Sequence, residues 1–360
     1  MKTLSRYIGR EVLFATTLIF VALLLLFAFF DLIHELGNVG KDGYPLGRAL
    51  LFVGLSIPGH VYELVPTAAL IGTLFAMSQL VANSEYTVMR ASGGSLTQIT
   101  LAIVRIGIPL AVATFLAGEF FAPPAERLAQ QVRLQTQGQI DRFVAQQFES
   151  GFWFKQDQSF VNIKSVLADM TLLGVRIYEF DRDLRLKSLR VADSGAFVSD
   201  GLWRLKNVRS TTLDGDGAHV TQADQSVWQT VLKPSILTVY QVPPEKLELP
   251  TLYDNIQVLG GNKQKTSRFE IALWNKIFYP AAVLVMMVLA LPFAYFQRRA
   301  GGVGFRVFAG TILGLLFFLL VRVFSHLGVI NDWPPLFSAA FPVFAFVGVA
   351  VTMLWWLERR

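Results

Sequence analysis

The chain has 360 residues, of which 53% are hydrophobic and only 16% charged, with a mean hydropathy of +0.47. Soluble domains carry about 25% charged residues, so this composition marks a membrane protein and excludes an ordinary soluble domain. The net charge of +6 is not gathered into one tract, which argues against nucleic-acid binding, and the absence of cysteine removes disulfides, thiolate metal sites and Cys nucleophiles.

The N-terminal MKTLSRYIGREVLF places basic residues before an apolar stretch, as a signal peptide does. Residues 12–30 are nevertheless uncharged throughout, longer than a signal core, and FFDLIHEL follows instead of a small-residue cleavage site. A retained transmembrane helix is predicted. Crossing a bilayer takes roughly 20 helical residues. On that length the spans fall near 12–33, 62–83, 99–121, 274–297, 304–325 and 335–357. Residues 49–83 are uncharged apart from His60 and Glu63, more than one span needs. The second helix should therefore bend near Pro58 or Pro66 and project beyond the lipid.

NSEYTVMRASGGS, residues 83–95, separates spans two and three. Asn83 or Ser84 can cap a short helix whose first turn holds Glu85, and Gly93-Gly94 supplies its stop. Tyr86, Met89 and Arg90 then stand at i, i+3 and i+4, giving one mixed apolar and basic face that reads as an exposed docking knob. A plain solvated turn is the competing reading.

Residues 122–268 form a soluble insert between spans three and four. It begins with the polar, helix-like PPAERLAQQVRLQTQGQI. Five alternating stretches follow: SFVNIKSV, LLGVRIYEFD, LRLKSLRVAD, LWRLKNVRSTTL and HVTQADQSVWQTV. Turn signals at Asp200-Gly201, Asp214-Gly215 and Asp216-Gly217 separate some of them. An antiparallel sandwich or jelly roll is predicted.

One set of span ends holds Lys2, Arg6, Arg10, Arg90, Arg298, Arg299, Arg306, Arg359 and Arg360. The opposite short segments hold Lys41, Arg48 and, near a span end, Arg322. The positive-inside rule puts the first set, and both termini, in the cytoplasm and the insert outside it. The chain divides accordingly into 1–121 (spans one to three), 122–268 (the insert) and 269–360 (spans four to six).

No phosphate-binding GxxxxGK[ST] loop, HExxH pair or GxSxG elbow is present, and His34, His60, His219 and His326 are scattered. Catalysis within this chain is not expected, nor is metal binding. Lone charges near the spans say more, because burying them is costly. Arg105 and Lys276 lie near span ends, where a long side chain reaches the interface. Arg322, in FFLLVRVF, is deeper: it either meets an anionic group or pairs with Glu63 or Glu119. Arg127 and Arg133 can line the same outer vestibule, or simply be solvated. A secondary transporter of a smaller solute would show broken helices with paired midplane charges. A non-transporting assembly protein would need neither six spans nor the amphipathic hairpin at 83–95.

The assembled motifs resemble the lipopolysaccharide export permease family, most like its G-type subunits. RYIGRE opens span one, and SEYTVMRASG matches a Ser-Glu-x-x-x-Met-x-Ala-Ser-Gly loop. GEFFAPPAE marks the exit of span three, IYEFDRDLRLKSLR and LWRLKNV the insert, and LWNKIFYPAAVLVMMVLAL span four. The resemblance implies an α-helical membrane protein of six transmembrane helices with an inserted periplasmic jelly roll. Such a subunit is the inner-membrane permease of an ABC transporter that extracts lipopolysaccharide toward the outer membrane. It pairs with an F-type paralogue, a cytoplasmic ATPase homodimer that holds the ATP and Mg, and a single-span periplasmic bridge protein; this chain binds no cofactor.

The same resemblance makes 83–95 a coupling helix seated on the ATPase. Glu85, Met89 and Ser92 match its motif, while Ser84, Tyr86 and Arg90 rest on cap and helix-face position. For the lipid, the Phe-rich first span, including Phe27 and Phe30, suits an acyl wall; plain lipid-facing packing is the competing reading. Basic residues near the outer end of span one would hold phosphates, but Asp31 and Asn38 stand where lysines align. Lys41, Arg48, Arg133 or Arg322 are the substitutes, of which Arg133 matches a family Arg.

Overall fold

The computed structural model describes residues 2–41, 44–134, 152–166, 171–181, 183, 185–199, 201–214, 217–230, 232, 243–261, 264–296 and 303–359. Six helices among them are long and apolar enough to cross a membrane. They are α1 (Lys2–Leu36), α2 (Leu46–Ala82), α4 (Leu96–Leu116) with its continuation α5 (Ala122–Leu134), α7 (Ser267–Phe296), α8 (Val303–Ile330) and α9 (Pro335–Glu358). A short α3 (Glu85–Ala91) lies between α2 and α4, and α6 (Leu249–Gly261) precedes α7.

The helices outrun the predicted spans. At 1.5 Å per residue the 37 residues of α2 reach about 55 Å, well past a bilayer core of about 30 Å. Pro58 and Pro66 both lie inside it. Span three does not stop at its double proline. It passes through one wide π turn, Ala117–Phe121, into α5. Pro123 and Pro124 lie where the π turn passes into α5.

The helix core is built around α2, which packs on α1, α5, α7 and α8. Lipid tails are as apolar as the side chains, so association inside a membrane depends on close backbone approach over small residues. Gly72 illustrates this: a Cβ there would fall 2.4 Å from the Cα of Thr16 on α1. By contrast α1 and α8 keep wide apolar faces open, with Phe14, Phe29, Phe30, Leu315 and Leu319 among the exposed residues.

The insert contributes six strands: β1 (Phe152–Gln156), β2 (Ser159–Val166), β3 (Leu172–Phe180), β4 (Leu186–Ser199), β5 (Leu202–Asp214) and β6 (Gly217–Gln229). Each pairs antiparallel with the next, and the sheet order is the chain order. Alternate residues enter one core, among them Val161, Ile163, Val175, Ile177, Trp203 and Leu205. The antiparallel all-β insert is as expected. Among the described residues there is one open sheet, and side chains from its two edges touch. Rings of Phe154 on β1 and Trp228 on β6 are 6.1 Å apart, and Thr230 Oγ1 donates to Gln156 Oε1 at 2.6 Å. Short turns set the strand order: Asp157 (φ 51°) and Gly201 (φ 77°) adopt left-handed backbone between neighbouring strands, so each of those strands pairs with its successor.

Candidate functional site

At the end of the helix bundle opposite the insert, α3 bridges α2 and α4. Its stop is a two-bond C-cap: Gly94 N–H donates to Met89 O at 3.0 Å and Gly93 N–H to Arg90 O at 3.1 Å, with Gly93 at φ +91°. A Cβ at Gly94 would lie 2.7 Å from that same Met89 oxygen, so the second glycine is also a requirement of shape. Ser92 Oγ donates to Met89 O at 2.9 Å, and Arg90 Nη1 to Gly94 O at 3.2 Å. Ser95 and Gln98 form a reciprocal capping box that opens α4.

Two expectations for this helix change. Ser84 is the residue before the helix, but it sits in left-handed backbone (φ 61°) and its side chain makes no cap bond. Tyr86 and Met89 are not an exposed knob: both are buried in the bundle core. The Tyr86 ring meets that of Tyr295 on α7 edge-on at 4.2 Å between centroids, and burial pushes its phenol up to about 12. A two-turn helix has one apolar stripe, and the neighbouring bundle takes it. What faces outward is Thr87, Val88, Arg90 and Ala91, with Val88 66% exposed. Glu85 sits at the edge of that face and accepts a hydrogen bond from Tyr7 Oη of α1 at 2.9 Å. The loop therefore reports on α1, α2, α4 and α7 together.

The residues considered for an anionic lipid lie toward the insert end. Phe27 and Phe30 are exposed on α1, and the Phe27 ring stands 5.7 Å from that of His60 on α2. Asp31 does not stand open: its Oδ2 lies 2.5 Å from His60 Nε2. Lys41 is exposed in the turn joining α1 to α2, and Arg48 is half-buried in the first turn of α2. Arg133 lies in the last turn of α5, its side chain outside the described residues. Arg322 is exposed on α8, its guanidinium 4.8 Å from the centre of the Phe318 ring. It lies about 12 Å inside the end of its helix, eight residues before Ile330. A Cβ on Gly314 of α8 would touch Thr67 of α2, and one on Gly310 would touch Leu74 and Ile71. Continuing that antiparallel step brings Arg322 to the depth of Gly59 and His60. Thus Phe27, the Asp31–His60 pair and Arg322 share one layer, whereas α3 is at the other end.

Neither Glu63 nor Glu119 pairs with Arg322. Glu119, in the π turn, is buried against Lys276 of α7, with Oε2 to Nζ at 2.8 Å. Lys276 is thereby a buried partner and not an interfacial anchor. The same cluster holds Arg127 to Glu248 at 3.0 Å and Lys246 to Glu126 at 3.0 Å. The signal in the sequence was a pair of lone opposite charges at matching span ends, in GEFF and LWNK. Separation along the chain hid it.

A family model described as "Lipopolysaccharide export system permease LptF/LptG" matches residues 6–356. Lipopolysaccharide export system permease protein LptG of Haemophilus influenzae is 32% identical over 361 residues, covering 100% of this chain and 99% of that protein. LptG of Escherichia coli K12 is 32% identical over 359 residues, covering 99% and 98%. LptF of the same organism is 23% identical over 325 residues, covering 88% and 84%.

Proposed function

Because this chain belongs to the LptF/LptG family of lipopolysaccharide export permeases, we propose that it is the G-type half of an ATP-driven lipopolysaccharide extractor. It is a multi-pass inner-membrane transporter subunit, more similar to G than to F relatives. Its termini and the 83–95 loop face the cytoplasm and the β insert the periplasm, in keeping with the basic residues at the loop end of the helices. An F-type paralogue pairs with it, a soluble ATPase homodimer docks beneath, and a single-span bridge protein receives the lipid. ATP and Mg belong to that ATPase.

The observation that carries the reading is the seating of α3. Its inner face is fixed to three long helices through Tyr86, Met89 and Glu85, while its outer face of Thr87, Val88 and Arg90 remains open. A push on that face moves the ends of α1, α2 and α7 together. ATP-driven closure of the ATPase applies the push, and the first and fifth spans, α1 and α8, narrow a lipid cavity shared with the paralogue. Each acyl CH₂ buried in the bilayer holds the lipid by about 0.8 kcal/mol, so extraction needs such a source of energy. Phe27 and Phe30 furnish acyl contact; Lys41, Arg48, Arg133 and Arg322 furnish charge for phosphates. Co-purification tests the premise: the chain should retain a stoichiometric soluble ATPase, and Val88→Asp or Glu85→Ala should weaken the association at least about tenfold. Undiminished ATPase retention by both variants would remove α3 as the docking element.

A further inference from the structure

The insert returns to the membrane through residues 243–249, a single 3₁₀ turn (Pro244–Lys246) followed by the start of α6. Such a short irregular segment would ordinarily be a hinge. Here four consecutive residues are gripped. Lys246 pairs with Glu126, Leu247 O accepts from Lys276 Nζ at 2.5 Å, Glu248 pairs with Arg127, and Leu249 N–H donates to Glu119 Oε1 at 2.9 Å. The gripping side chains come from the π turn, α5 and α7, so the return segment is tied to the helices that flank the insert in the chain.

At the centre are two buried charges, Glu119 (8% exposed) and Lys276 (4%). Each satisfies backbone of the return segment as well as its partner, so the segment cannot shift without uncovering a charge. The wide π turn is what aims Glu119 inward, and it is itself pinned. A Cβ on Gly118 would fall 2.2 Å from the Tyr62 ring of α2, which lies 4.8 Å from the Tyr279 ring of α7. Tyr279 Oη in turn donates to Glu63 O at 2.7 Å. One continuous set of contacts runs from α2 and α7 to α5 and to residues 243–249, and α6, which follows them, packs Val258 against the sheet core.

We propose that Glu119 and Lys276 are positioning residues that clamp the insert to α2 and α7, so that displacement of these helices is delivered to the insert. The proposal rests on the transport reading for its consequence and on geometry alone for the clamp. The test uses the full chain, with its F-type and ATPase partners, in nanodiscs. The chain lacks cysteine, so paired Cys labels can be placed at the exposed Val198 of β4 and Leu336 of α9 without background from this subunit.

The double variant Glu119→Leu/Lys276→Met removes both charges and leaves none orphaned. Relative to the parent, its label-to-label distance distribution should broaden about twofold, and lipopolysaccharide released per ATP hydrolysed should fall about tenfold, within the range of residues that carry coupling between sites. Lys276→Arg, which keeps the charge, should restore much of both when paired with native Glu119. A parent-like distribution overturns the clamp, and a broadened distribution with undiminished release per ATP overturns its role in transmission. If the double variant does not assemble, Arg127→Ala/Lys246→Ala, at the half-exposed rim of the cluster, replaces it, with broadening again expected and a parent-like distribution again decisive against the clamp. Failure of the transport reading is separate: it would appear as absent release by the parent complex.

Discussion

Lys276 shows what a single charge costs in this molecule. Its ammonium is buried, donates to Leu247 O and meets Glu119. Removing one member of a buried pair leaves the other charge without compensation, at a typical cost of about 3–5 kcal/mol, whereas replacing both by apolar groups is often neutral. Lys276→Met alone should therefore lower the melting temperature of the detergent-solubilised chain strongly, and adding Glu119→Leu should recover most of the loss. Thermal scans of the two variants check this; equal melting temperatures for single and double variants would mean the pair contributes nothing. Glu119 and Lys276 were each visible in the sequence as a lone charge near a span end, but their meeting was not. Glu85 is different. Its place in the first turn of a short helix followed from the residues themselves, and the structure adds the bond from Tyr7.

At the scale of the element, α3 was legible in its limits and misread in its orientation. Gly93-Gly94 end the helix by local backbone chemistry that needs no other part of the chain, while its start at Glu85 carries no side-chain cap bond. Which face turns inward is set by the bundle, and the apolar Tyr86 and Met89 were claimed by it. This yields a pH prediction. Burial holds the Tyr86 phenol up to about 12, above an unperturbed value of about 10. The folded state thus favours the protonated phenol. The contribution is fully present below about pH 10 and is lost as pH rises through about 12. Stability of the parent should fall more steeply over that window than stability of Tyr86→Phe. Parallel alkaline denaturation curves would contradict the buried seating of α3. The insert gives the same lesson: alternation and turn residues announced the strands, but the meeting of the Phe154 ring on β1 with the Trp228 ring on β6 came from tertiary packing.

Across the whole molecule, α2 is enclosed while α1 and α8 present apolar faces outward. Inside a bilayer such faces meet lipid tails or another membrane helix equally well. Arg322 interrupts the α8 face at the depth of the Asp31–His60 pair. A charge that far inside a span is costly unless an anion or water meets it. Reversing Arg133 and Arg322 together to Glu should reduce crosslinking of photoreactive lipopolysaccharide to this subunit in the assembled complex several-fold, about 1 kcal/mol or more of lost attraction. Unchanged crosslinking would exclude both as phosphate contacts.

Sequence by itself determined the membrane class, the six apolar helices, the β character of the insert and the start and stop of the helix at 85–91. Each depends on hydropathy, alternation or capping within a few neighbouring residues, and such short-range terms are complete in the sequence. Tertiary structure alone decided that Tyr86 and Met89 face inward, that Asp31 is met by His60, that Glu119 finds Lys276, and that Phe154 of β1 meets Trp228 of β6. Those outcomes depend on which surfaces come within a few ångströms after the helices pack. Desolvation makes such meetings decisive: a charge or ring that is tolerable in water must find its partner once the bundle closes around it.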